Sequence, residues 1–143
     1  GKTKGNTISH AMVTGTDFYP TLLEMLELPT LPKQHVDGMS FLPALQGGDH
    51  DRGAIYWHFP HYSNHGYQSP GGAIRLGNYK LLEYYENSSV QLFDLENDLG
   101  EQSDLSKVKP AITAKLLKML RDWRRQLDAK MPQPKATASA RNK

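Results

Sequence analysis

Short apolar and aromatic runs, broken by Gly, Asn and Ser, occupy the middle of the chain. Across residues 73–105, Ile74, Tyr79, Leu81, Tyr84, Val90, Leu92, Phe93 and Leu95 supply the apolar mass, and Gly77-Asn78 and Asn87-Ser88-Ser89 supply breaks of the kind antiparallel hairpins need. This pattern predicts two strands joined by a polar turn and followed by an acidic connector. Residues 54–60, AIYWHFP, are dense in β-branched and aromatic side chains and predict another strand. The period changes on either side. Phe18, Leu22, Leu23, Met25 and Leu26 have helical spacing, with Thr16 or Asp17 as N-cap, Pro20 tolerable near the start, and Pro29 and Pro32 beyond the end. A short buried helix over 17–28 is expected. Ile112, Leu116, Leu117, Leu120, Trp123 and Leu127 recur at steps of three and four, predicting a helix from Pro110 to about Lys130. Arg121, Asp122, Arg124, Arg125 and Asp128 would take its other face, with Trp123 in the core. Between the first helix and the strands lies a loop with a turn at Asp37-Gly38, where Gly would supply positive φ, and a helical turn around Phe41 to Leu45.

With 143 residues, 38% of them hydrophobic, the chain is long enough for one domain with a core, and its seven Tyr, four Phe and two Trp argue against disorder over most of its length. Much of the basic excess behind the net charge of +2 falls in the last fifteen residues, where Lys130, Lys135, Arg141 and Lys143 meet no acid. The body is then near neutral, which gives nucleic-acid binding little support. The absence of cysteine excludes disulfides, thiolate metal sites and a cysteine nucleophile. No apolar run approaches the ~18 residues of a membrane span, and the opening GKTKGNTISH has no signal-peptide core. A chain starting at Gly rather than Met is expected to be a processed product or a piece of something longer.

Candidate chemistry concentrates after the first strand. His58, His61 and His65 fall within eight positions, in a polar, Gly/Pro-rich stretch with Asn64 and several tyrosines. A metal site would need a further ligand and the helical context of a metalloprotease motif, which H-x2-H-x3-H in a loop lacks. An acid, base or substrate-contact role fits imidazole chemistry; a structural role under the loop fits any single ring equally well. As a group they read as ligand contacts. Arg75 and Lys80 flank the Gly77-Asn78 turn, and partnering inside the fold is weighed against contact with an anion. The connector 94–104 holds five acids but lacks calcium-loop spacing, so they are expected to face water and cap the turn at Gly100. Asp37 with Ser40 reads as turn and cap rather than catalytic pair.

The order of motifs TDFYPTLLEMLEL, DGMSFLPALQGG, IYWHFPHY, GGAIRLGNYKLLEYYE and QLFDLENDLGEQSDL, closed by an amphipathic helix with Trp, resembles the C-terminal part of type I sulfatases, the arylsulfatase A-like family. The match covers residues 11–132. Asp17, Pro20, Thr21 and Leu22 fit D-x-x-P-T-L; Arg75, Gly77, Tyr79, Lys80 and Leu81 fit R-x-G-x-Y-K-L; Leu92, Phe93, Asp94, Leu95, Asp98 and Glu101 fit L-[FY]-D-L-x-x-D-x-x-E. Trp57 to Tyr62 looks like a branch common in bacterial glycan sulfatases. The family's formylglycine arises from C/S-x-P-S-R, which is missing here together with the family's calcium aspartates, catalytic Lys and His, and D-[NH] pair.

The resemblance implies an α+β fold: a small antiparallel sheet of about four strands packed against a long C-terminal helix, preceded by a helix belonging to the parent's alkaline-phosphatase-like α/β domain. It implies a division into 1–52, the end of the catalytic domain; 53–132, the C-terminal subdomain; and 133–143, a disordered tail. His58, His61, Asn64 and His65 would contact a sugar or its sulfate, while Arg75 and Lys80 would be mainly structural. No cofactor is expected in this chain; calcium and formylglycine belong to the full-length enzyme, so the chain alone is expected to be inactive. Its partners would be the parent's N-terminal catalytic domain and a sulfated small molecule or glycan, with no nucleic acid and no membrane span, in a periplasmic or extracellular setting. Two alternatives stand beside this: a stand-alone binding module that kept the subdomain and lost the chemistry, and, weakest, a free-standing hydrolase using the histidines.

Overall fold

A computed structural model of the chain describes residues 3, 5–64, 66 and 69–133. Two compact units emerge, residues 1–53 and 54–143.

In the first unit, a 3-10 turn (Gly15–Asp17) leads into α1 (Phe18–Met25), and a single helical turn, α2 (Leu42–Leu45), follows a long loop. The expected N-cap Asp17 has no exposed surface. Its carboxylate accepts the amides of Thr14 (2.8 Å) and Met39 (2.9 Å) and pairs with Arg52 Nε at 2.8 Å. Thr21 continues the polar seam: its hydroxyl donates to the Asp17 carbonyl and accepts the Phe41 amide. α1 stops before Pro29 is reached. Glu27 takes a left-handed φ of 58°, its amide reaches the Glu24 carbonyl, and the Leu28 amide reaches that of Leu23, a Schellman ending. The face expected to be buried is open, with Phe18 55%, Leu22 53% and Leu26 68% exposed. Gly38 is required for a reason other than φ: a Cβ there would stand 2.4 Å from the Thr16 carbonyl oxygen.

The second unit is a four-stranded antiparallel meander with α3 (Pro110–Gln126) on one face. Its strands are β1 (Ile55–Phe59), β2 (Gly71–Leu76), β3 (Tyr79–Tyr84) and β4 (Val90–Asp94), in sheet order β1-β2-β3-β4. The register pairs Tyr56 with Ile74, Ile74 with Leu81 and Leu81 with Leu92. Period-two alternation therefore gives these four side chains a common face. Ile74, Leu81, Leu92, Leu116 and Leu120 form its buried core, and Trp123 stacks on Tyr56 at 4.9 Å. At the β2–β3 turn, Gly77 supplies the positive φ of 56°.

The connector ties off the free edge of β4. The Leu92 amide donates to Asp104 and its carbonyl accepts the Leu105 amide, so groups that an edge strand leaves unpaired are covered. Asp98 caps the amides of Gln102 and Ser103 just past Gly100. Two expectations for α3 need correction. The helix ends at Gln126 in a second Schellman turn, with Asp128 at φ 47° and the Ala129 amide on the Arg124 carbonyl, so Leu127 falls outside the stripe and is 61% exposed. Arg124 belongs to the buried side, held there by Glu83. Apart from Gln133, the tail expected at 133–143 lies outside the described residues. Among the described residues, no helix is long and apolar enough to cross a membrane.

Candidate functional site

The loop carrying the histidines joins β1 to β2, and the pairing of Phe59 with Gly71 closes its base. Alternation along β1 directs Tyr56 and His58 toward α3, and Trp57 and Phe59 to the opposite face. His58 accordingly sits over the end of the helix. Its Nε2 donates to the Lys130 carbonyl at 2.9 Å, because a carbonyl can only accept, and Nδ1 then accepts from the Tyr85 hydroxyl at 2.6 Å. Both ring nitrogens are thus engaged inside the second unit. His61 and Asn64 point the other way in chemical terms: both are exposed, with the His61 ring edge-on to Phe59 at 5.9 Å. Asn64 lies in a turn where the Gly66 amide donates to the Ser63 carbonyl. The fourth candidate, His65, lies outside the described residues.

Arg75 and Lys80 are directly paired across β2 and β3, some distance along the sheet from the loop's base at Phe59 and Gly71. Lys80 Nζ reaches Glu101 at 2.5 Å, tying the connector to the sheet. Arg75 Nε donates to the Gly77 carbonyl at 3.3 Å across its own turn. The structure therefore leaves His61 and Asn64 both exposed in the loop that follows β1, holds His58 at that loop's start, and sets Arg75 and Lys80 apart.

The residues that hold the loop were not evident from periodicity. Tyr85, just past β3, bonds His58 through its hydroxyl and donates its amide to the Pro70 carbonyl at 2.9 Å. Burial pushes its phenol pKa up, and the neighbouring Arg124 partly offsets this. Arg124 lies over the Tyr85 ring, 4.9 Å from the centroid, and its Nη2 is 2.7 Å from Oε2 of Glu83. Arg121 completes that site, with Nε and Nη2 both donating to Glu83 Oε1. Next along the chain, Glu86 accepts the Tyr62 hydroxyl at 2.5 Å, which raises the Tyr62 pKa. The signal available in the sequence was Tyr84-Tyr85-Glu86 at a strand end, where successive side chains must part to different neighbours. On the opposite face Trp57 and Phe59, with Ala73, Leu82 and Tyr84, line a cavity of about 220 Å³. Among the described residues, no cluster of three or more His, Asp or Glu side chains is placed to hold a metal ion.

Comparison with known proteins gives a consistent result. The family described as N-sulphoglucosamine sulphohydrolase, C-terminal, matches residues 1–127. A sulfatase of Formosa agariphila is 34% identical over 122 residues, covering 75% of this chain and 22% of that protein. A Delta 4,5-hexuronate-2-O-sulfatase of Bacteroides thetaiotaomicron is 28% identical over 129 residues, covering 89% and 25%. Among solved structures, a 2-O GAG sulfatase superposes with a TM-score of 0.61 at 26% identity, covering 79% of this chain and 25% of that one. The chain thus spans about a quarter of the length of the relatives it matches.

Proposed function

This chain belongs to the family of sulfatase C-terminal domains typified by N-sulphoglucosamine sulphohydrolase, and from that premise we propose that it completes the active-site pocket of a sulfuric ester hydrolase and contributes to recognising the organic part of the substrate. A sulfated glycan is the proposed substrate class, supported by relatives named for 2-O-sulfated hexuronate and GAG. Periplasmic or extracellular placement is part of the same proposal.

The observation that carries the reading is the division of labour within one loop. His58 spends both nitrogens on anchoring, while His61 and Asn64 are exposed a few residues on. An exposed imidazole and amide on a fixed base suit hydroxyl and sulfate oxygens, which need donors whose positions are set before the ligand arrives. For His58 to touch substrate, it would first have to release Tyr85 or Lys130. Arg75 and Lys80 act structurally, each being engaged within the sheet and its connector.

Formylglycine does not fit the residues present, because there is no cysteine and no S-x-P-S-R; for calcium, which needs several converging oxygens, the described residues bring no three acidic or histidine side chains together. Both are proposed to come from the remaining three quarters of a parent enzyme, and no step of sulfate transfer is assigned to this chain. The exposed face of α1 is the proposed contact with that catalytic portion.

The test pairs this chain with the longer parent, each made with a formylglycine-generating enzyme and assayed on a chromogenic aryl sulfate with calcium. Sulfate release is expected from the parent alone; release by the short chain would overturn the assignment. In the parent, His61→Ala should raise KM for its natural sulfated substrate about tenfold, the effect of losing a charge-assisted hydrogen bond. Unchanged kinetics would remove His61 from the site. Silence of both proteins on every sulfated glycan tried would favour a binding module.

A further inference from the structure

We propose that Tyr85 and Glu86 form a clamp that sets the position of His61 and Asn64, an inference that rests on reading their loop as a substrate contact. The described residues of the loop between β1 and β2 belong to no helix or strand, and pairing of Phe59 with Gly71 closes its base. Two adjacent residues past β3 make three further contacts with the loop and its flanks. The Tyr85 hydroxyl meets His58 before the loop, its amide meets the Pro70 carbonyl at the loop's end, and Glu86 takes the Tyr62 hydroxyl in between. Tyr62 directly follows His61 and stands two residues before Asn64, so fixing it restricts both neighbours. The clamp is itself held from the helix side. Arg124 covers the Tyr85 ring and is anchored by the buried carboxylate of Glu83, so α3 fixes Tyr85 before any ligand is present.

The two halves of the clamp differ in a way that makes the idea testable. Tyr85 is half-buried, whereas Glu86 and Tyr62 are exposed. An exposed hydrogen bond adds little to global stability, so a purely structural role for Glu86 predicts a silent substitution. A positioning role predicts an effect on the loop and on substrate affinity with no effect on melting.

In this chain, Glu86→Ala should lower the heteronuclear NOE of residues 61–64 while leaving the melting temperature unchanged. Glu86→Gln, which keeps an acceptor oxygen, should restore most of that order. Tyr85→Phe should loosen the start of the loop by releasing His58 alone. In the parent enzyme, Glu86→Ala should raise KM about fivefold, as expected for a less organised contact, with kcat held within about twofold. Unchanged NOE values in Glu86→Ala would overturn the clamp. So would an unchanged KM in Glu86→Ala where His61→Ala raises it, and the wider reading of the loop would then stand. Loss of loop order in Glu86→Ala with His61→Ala kinetically silent would keep the clamp and remove the substrate role instead.

Discussion

Asp17 shows how a single carboxylate can organise a segment that has few buried apolar groups. Burial pushes its pKa up, but the amides of Met39 and Thr14 and the charge and hydrogen bond of Arg52 outweigh that and hold it below 3.8. Because the folded value lies under the unfolded one, the stabilisation is fully present above about pH 4 and is lost as pH falls through the folded pKa. Denaturant melts followed by the Met39 amide signal should therefore weaken progressively below about pH 4. Asp17→Asn should flatten that acid limb and cost about 3 kcal/mol at neutral pH, since Arg52 would keep its place without its counter-charge. An acid limb unchanged in Asp17→Asn would assign it to other carboxylates. The sequence offered Asp17 as an N-cap and as the first residue of D-x-x-P-T-L, but its carboxylate caps no amide of α1 and goes to Thr14, Met39 and Arg52 instead. Met39 and Arg52 lie 22 and 35 positions away, and no local periodicity reports a partner at that distance.

Between elements, α3 is joined to the sheet by two unlike contacts, and they should fail differently. Leu116 and Leu120 pack on Ile74, Leu81 and Leu92; farther along, Glu83 receives Arg121 and Arg124. Leu120→Ala leaves a cavity and should cost about 2–5 kcal/mol in denaturant melts. Glu83→Ala should cost about 3–5 kcal/mol, because Arg124 stays buried without its anion. The double substitution Glu83→Leu with Arg124→Met should recover most of this loss, because an apolar pair needs no counter-charge. If it recovers nothing, the pair does more than neutralise its own burial. The strands were readable as short apolar and aromatic runs set between turn residues, and the β2–β3 turn was readable at Gly77-Asn78. The helix stripe was readable as far as Trp123. It misled at Arg124 and Leu127, where a buried carboxylate on β3 and a Schellman turn, neither visible in the helix's own sequence, decided which side chain went inside. The same limit applies to the histidine loop: the cluster was visible, but which imidazole would be spent on Tyr85 and Lys130 depended on a residue 27 positions away and on where the helix stopped.

At the scale of the whole molecule, the exposed apolar side chains are the feature that points toward a partner. Phe18, Leu22 and Leu26 are open along α1, and Trp57, 45% exposed, stands with Phe59 on the sheet face away from α3. Large apolar side chains exposed along one helix face, or on one sheet face, are candidates for contact sites in soluble proteins. The chain covers only about a quarter of its relatives' length, so the proposed occupant is the rest of a parent catalytic domain. In isolation the exposed faces should then find one another. Light scattering behind size-exclusion should show the mass rising above that of a monomer as concentration increases, and Leu22→Glu combined with Leu26→Lys should suppress the rise without lowering the melting temperature, because neither side chain is buried within the first unit. The same pair of substitutions in the parent enzyme should do the opposite: destabilise it, by placing charges in what is there a buried interface. A chain that stays monomeric at every concentration and melts cooperatively would argue for an independent module. Suppression in this chain with no cost in the parent would show that α1 is sticky without being the docking face, and would move the interface to the side of Trp57 and Phe59.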